Sequence, residues 1–126
     1  MRQTVTPYLL YEDADAALDW LAKAFGFREA DRIAGPDGKV AHAEMVVGEG
    51  SSIFLGGPGG DYRSPKQVGR TSLVYVYVAE VGAHHARAKE ASAAIVEEPH
   101  DEAYSDRRYA AEDPEGHLWY FATQLQ

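Results

Sequence analysis

The feature that most limits the folds open to this chain is a succession of hydrophobic periods that occurs twice. Asp13 and Glu80 each open a helical stretch and stand 67 positions apart, while the turn glycines Gly50 and Gly116, before the last strand of each half, stand 66 apart. One residue of slippage is what a single loop difference produces. In the first half, Val5 to Tyr11 is rich in β-formers, and Glu12-Asp13-Ala14-Asp15 then interrupts it with acids suited to a helix start. Ala14, Ala17, Leu18, Leu21 and Phe25 recur at three- and four-residue spacings, so they share one helical stripe, and Gly26 supplies the stop. Strands follow over Phe27 to Ile33, Val40 to Val47 and Ser52 to Leu55, separated by Gly35-Pro36-Asp37-Gly38 and Gly48-Glu49-Gly50. The second half repeats the order, with strand Ser72 to Val78, helix Glu80 to Ala94, and strands Ile95 to Glu98, Tyr104 to Ala111 and Leu118 to Thr123.

Both halves therefore read β-α-β-β-β, an α+β class. One such unit covers only part of its own sheet, which is the physical reason to pair two of them. The chain reads as one domain, 1–126, of two pseudo-repeats at about 1–60 and 70–126. The segment from Gly56 to Arg70, rich in glycine and polar residues and without a period, reads as the connector.

Composition removes several functions. The chain has no Cys, which excludes disulfides, thiolate nucleophiles and zinc-thiolate sites. Its 20 Asp plus Glu against 12 Lys plus Arg give a net charge of -8, and no basic run is present, so nucleic acid and anionic membranes are poor partners. No stretch approaches the ~18 consecutive apolar residues of a membrane span, and Met1-Arg2-Gln3-Thr4 lacks the apolar core of a signal peptide. A cytoplasmic protein is the expectation.

Three phrases carry a family resemblance: Pro7-Tyr8-Leu9-Leu10-Tyr11-Glu12-Asp13 leading into Ala17-Leu18-Asp19-Trp20-Leu21, then Phe25-Gly26-Phe27, and the late Asp113-Pro114-Glu115-Gly116-His117-Leu118-Trp119. With the repeat, they make the whole chain resemble the vicinal oxygen chelate superfamily, the glyoxalase, bleomycin-resistance and extradiol-dioxygenase group. The resemblance implies two βαβββ modules whose strands form a cupped mixed sheet around a cavity, commonly in a homodimer. In its metal-dependent members a His or similar ligand sits on the first strand of each module and a Glu on the last. Seven positions before Asp13 and Glu80 stand Thr6 and Leu73, and four after Gly50 and Gly116 stand Phe54 and Tyr120. Leu and Phe offer no lone pair, a neutral Thr hydroxyl is a poor donor, and a Tyr phenol needs strong activation to coordinate near neutral pH. A slip of one residue brings in Val5, Pro7, Ile53, Leu55, Ser72, Val74, Trp119 or Phe121, again with no acid and no His. The expectation is no metal and no cofactor.

Alternation then turns Thr6, Tyr8, Leu10, Ser52, Phe54, Leu73, Tyr75, Tyr77, Leu118 and Tyr120 toward the cup, and Trp119 and Phe121 toward the helices. An aromatic cup with phenolic tips suits a flat, partly polar organic ligand, and the same rings equally suit plain filler. His42 and Glu44 share one strand face and are the weak catalytic candidates, as an acid-base pair or half of a relocated metal site; an ordinary polar strand pair accounts for them better. Tyr104 and Arg107 sit on a stretch at the cavity rim, where Arg107 suits a ligand carboxylate or phosphate, or an internal ion pair to Asp106, Asp113 or Glu112. His84 and His85 read as surface, His100 and His117 as loop residues, and Glu12, Asp13 and Asp15 as helix-start acids. The reading that results is a metal-free small-molecule-binding protein of the glyoxalase/bleomycin-resistance type, with Thr6, Tyr8, Phe54, Leu73, Tyr75, Tyr104, Arg107 and Tyr120 on the ligand. Net charge alone would suit a cationic ligand. The alternative is a glyoxalase-like lyase, isomerase or dioxygenase with non-standard ligands.

Overall fold

Two four-stranded sheets, each with one parallel and two antiparallel pairings, are what the doubled period builds. A computed structural model describes residues 2–103 and 105–125. In chain order the elements are β1 (Tyr8–Leu10), α1 (Ala14–Phe25), β2 (Arg28–Ala34), β3 (Val40–Gly48), β4 (Ser51–Gly56), α2 (Pro65–Val68), β5 (Leu73–Tyr77), α3 (Val81–Glu90), β6 (Ala94–Asp101), β7 (Asp106–Glu112) and β8 (Leu118–Gln124). The sheets run β1-β4-β3-β2 and β5-β8-β7-β6. Equivalent pairs carry the repeat into space: β1 runs parallel to β4 with Tyr8 opposite Phe54, and β5 runs parallel to β8 with Tyr75 opposite Tyr120. The fold is the α+β arrangement that the repeat implies.

The helix stripe becomes the core. Ala14, Ala17, Leu18, Leu21 and Phe25 are all buried, and Gly26 ends α1 in the left-handed region at φ 75°. Phe25 reaches across the repeat, its ring centroid 5.7 Å from Trp119 and 4.7 Å from Phe121, so one continuous core spans both halves. Truncating such a ring to Ala costs about 3–5 kcal/mol. Trp119 and Phe121 are fully buried, as alternation requires.

Several local readings change. The Ala-rich run does not remain helical to Ala94: α3 ends at Glu90, Ser92 turns the chain at φ 66°, and β6 then runs on to Asp101. β1 is shorter than Val5 to Tyr11, since Pro7 has no N–H to give a ladder. The connector holds the one-turn α2, tied by Lys66 N–H to Glu115 O at 2.9 Å. Of the three helix-start acids only Asp13 caps, accepting from Ala16 N at 3.0 Å. Glu12 instead accepts from Ser64 N and the Gln67 amide, and Asp15 from Val40 N. Glu115, from the other half, closes the α1 entrance by accepting from Glu12 N and Asp13 N at 2.6 and 2.9 Å.

Histidine placement also differs from expectation. His84 is no surface residue: its ring lies 4.1 Å from Phe121, and its nitrogens meet the Tyr109 phenol at 2.6 Å and Phe25 O at 2.9 Å. Burial pushes its pKa down to about 4. His117 lies in the turn before β8 as read, and there its Nε2 donates to Leu10 O at 2.7 Å and its ring packs on Tyr11. Both imidazoles bridge the two halves of the chain.

Candidate functional site

Alternation on β1 buries Leu9 and leaves Tyr8 and Leu10 on the open face; on β5 it buries Val76 and leaves Leu73 and Tyr77 exposed. Between these two strands lies a hollow of about 700 Å³. Tyr8, Leu10, Leu73, Tyr75 and Leu118 contribute its strand walls, and Tyr62, Arg63 and Arg70 close it from the connector. That volume falls within the ~300–1,000 Å³ of ordinary small-molecule sites.

The phenols are held in position. Tyr8 Oη lies 2.9 Å from His42 Nδ1. Tyr75 and Tyr77 each donate to the buried carboxylate of Asp106 at 2.8 Å. Tyr75 also stacks on Tyr120 with 13° between planes and centroids 5.9 Å apart. Tyr120 donates to Glu97 at 3.0 Å, and the Arg108 guanidinium covers its ring at 4.7 Å. Pre-set rings of this kind offer flat apolar area at low entropic cost.

The structure brings Tyr8, Leu73 and Tyr75 to one hollow but separates the other positions named from sequence. Thr6 and Phe54 line a second depression of about 480 Å³ beside Arg2 and Glu44. Tyr120 lies behind Tyr75 and lines neither of the two. Tyr104 lies outside the described residues. Arg107 pairs with Asp101, its register partner on β6, at 2.6 Å, and not with Asp106, Asp113 or Glu112. Its neighbour Arg108 holds the place on Tyr120, because β7 alternation turns 108, not 107, to that face. His42 and Glu44 share a strand, but His42 is engaged by Tyr8 and Glu44 by Arg2 at 3.0 Å.

At the four positions that the resemblance marks for metal ligands, the side chains do not fit a divalent ion. Phe54 meets the edge of His42 and supplies no lone pair, and Leu73 supplies none either. The Tyr120 hydroxyl is a donor to Glu97, and burial followed by that carboxylate raises its pKa, away from the phenolate that a metal would need. Among the described residues no group of three or more His, Cys, Asp or Glu gathers around a point.

The connector residues Tyr62, Arg63 and Arg70 were not singled out by sequence. Their only signal was two arginines near each other in an acidic chain, since the fold of the segment depends on bonds to Glu12 and Glu115 far away in sequence.

Comparison with known proteins sets this geometry in context. The model of the glyoxalase/bleomycin resistance protein/dioxygenase superfamily matches residues 4–121. An uncharacterized protein of Mycobacterium bovis is 34% identical over 121 residues, covering 91% of this chain and 79% of that one. Among solved structures, TioX from Micromonospora sp. ML1 superposes with a TM-score of 0.79 at 33% identity, covering 98% of this chain and 100% of its own. The fosfomycin resistance protein FosX of Listeria monocytogenes shares the fold with a TM-score of 0.70 at 13% identity, covering 98% of this chain and 93% of its own.

Proposed function

Because this chain belongs to the glyoxalase/bleomycin resistance protein/dioxygenase superfamily while its ligand positions lack suitable donors, we propose that it is a metal-independent binding protein that holds a flat organic ligand in the hollow between β1 and β5. The observation that carries this reading is the presence of Tyr8 and Tyr75 on the strand walls, with Tyr62 from the connector, around a hollow of about 700 Å³. Tyr75 is fixed by both its Asp106 bond and its stack on Tyr120, so a ligand ring meets a surface that needs little ordering. Binding, without bond chemistry, is all that such a surface requires. In this reading the chain is a cytoplasmic protein that works as a homodimer, and the family and the exposure of Tyr8, Leu10, Leu73 and Tyr77 on open sheet faces support the pairing.

Titration with a planar aromatic probe, read by tryptophan and tyrosine fluorescence, tests the assignment. Tyr75→Ala should weaken the probe about tenfold, roughly 1.4 kcal/mol. Tyr120→Phe, which removes only a hydroxyl committed to Glu97, should leave affinity within about twofold. An unchanged affinity in Tyr75→Ala would remove the hollow from the account.

One contact favours a second reading, a glyoxalase-like lyase or isomerase. The Tyr8 hydroxyl and His42 lie within hydrogen-bond reach, and Tyr8 is also a lining residue of the hollow, an arrangement that an acid-base pair would need. Turnover of a 2-oxoaldehyde adduct that His42→Asn abolishes would favour it, and absence of turnover would dismiss it.

A further inference from the structure

The charge of the hollow runs against the charge of the protein. In a chain of 20 acidic and 12 basic residues, the described residues that line the hollow between β1 and β5 include two arginines, Arg63 and Arg70, and no Asp or Glu. Three other depressions mix the two signs: Glu12, Asp13, Asp15 and Asp37 with Lys39 beside the start of α1, Glu49 and Glu80 with Arg28 and Arg87 where β3 meets β5, and Glu44 with Arg2 and Arg28. At physiological salt a charge is screened within about 8 Å, so the nearest groups, and not the net -8, set the potential that a bound ligand feels.

The two arginines differ. Arg70 is neutralised by its ion pair with Glu112. Arg63 makes no ion pair among the described residues; one terminal nitrogen donates to Gly60 O and Tyr62 O at 3.1 and 2.9 Å, which fixes the guanidinium from one side. Nothing among the described residues accepts from its Nε or its other terminal nitrogen, and that edge is the one suited to a carboxylate. Glu12 feels the Arg63 charge, yet its carboxylate is held by Ser64 and Gln67 and lines the depression on the other side.

We infer that the hollow selects a planar aromatic anion, its ring on Tyr8 and Tyr75 and its carboxylate on Arg63. The inference rests on the binding reading above and adds the sign of the ligand, opposite to what net charge suggests. A matched series tests it by calorimetry at low and moderate salt: 2-naphthoate, neutral 2-naphthamide and 2-naphthylmethylammonium. Naphthoate should bind at least about tenfold more tightly than naphthamide, the ammonium should bind most weakly, and added salt should narrow the gap. Arg63→Gln, a change on an exposed connector residue, should bring naphthoate down to the naphthamide level and leave naphthamide unchanged. An ammonium that binds as well as naphthoate, or a naphthoate indifferent to Arg63→Gln, would overturn the proposal. Equal binding of all three would overturn it while leaving the aromatic hollow standing, and binding of none at millimolar concentration would remove both.

Discussion

Protonating His84 places a second hydrogen where one is already offered. The Phe25 carbonyl can only accept, so Nε2 carries the ring hydrogen and Nδ1 accepts from the Tyr109 phenol. Burial, with Arg87 adding to it, lowers the folded-state pKa to about 4 against an ordinary 6.5. The unfolded chain therefore binds the proton first. The stability contributed by neutral His84 is complete above the ordinary value and is lost as pH falls toward 4, a decline of about 2 kcal/mol after allowance for the part of the ring that water reaches. His100, whose pKa is raised by the Glu98 carbonyl and then Glu102, acts in the opposite sense, giving stability at low pH that fades as pH rises. Urea melts of the protein and of His84→Gln between pH 4 and 7 separate the two. The variant should show a flatter profile; an equal slope would mean that His84 does not control it.

At the scale of elements, periodicity carried nearly everything that local chemistry can encode. The α1 stripe, the Gly26 stop and the alternation that buries Trp119 and Phe121 are properties of a few neighbouring residues, and the structure has each of them. What was not legible depends on contacts made across the chain. The connector reads as featureless because α2 is held from outside, by Glu12 on Ser64 and Gln67 and by Glu115 on Lys66. Gly116 shows how closely: a Cβ there would stand 2.6 Å from Lys66 N, so the turn before β8 is also the seat of α2. Arg63 and Arg70 reach the hollow only through that seating. The same reason explains Arg107, whose partner Asp101 could not be named before β6 was known to extend that far. The cup as read from sequence was also wider than the hollow, because alternation tells which face a residue takes but not which residues of one face meet in one depression.

Across the whole molecule, the two halves share one core through Phe25 and Tyr11, His84 adds a bond across them to Phe25 O, and their open sheet faces keep large apolar side chains in contact with solvent. Tyr8 is 48% exposed and Tyr77 56%, ring surface that is open to a ligand or a second chain. A second copy of the chain is the partner that the family suggests. Sedimentation at micromolar concentration should return twice the 13.8 kDa of one chain, and a monomer would remove the dimer from the account. No helix among the described residues is long and apolar enough to cross a membrane.

The claim on which the account depends is that this member binds its ligand without a metal. Elemental analysis of the purified protein, joined to titrations with nickel, zinc, manganese and iron(II) under reducing conditions and repeated with the aromatic probe present, addresses it directly. The account predicts no stoichiometric divalent ion and a probe affinity that a chelator does not change. One tightly held ion per chain, with probe binding lost on chelation, would contradict it and redirect attention to His42 and Glu44.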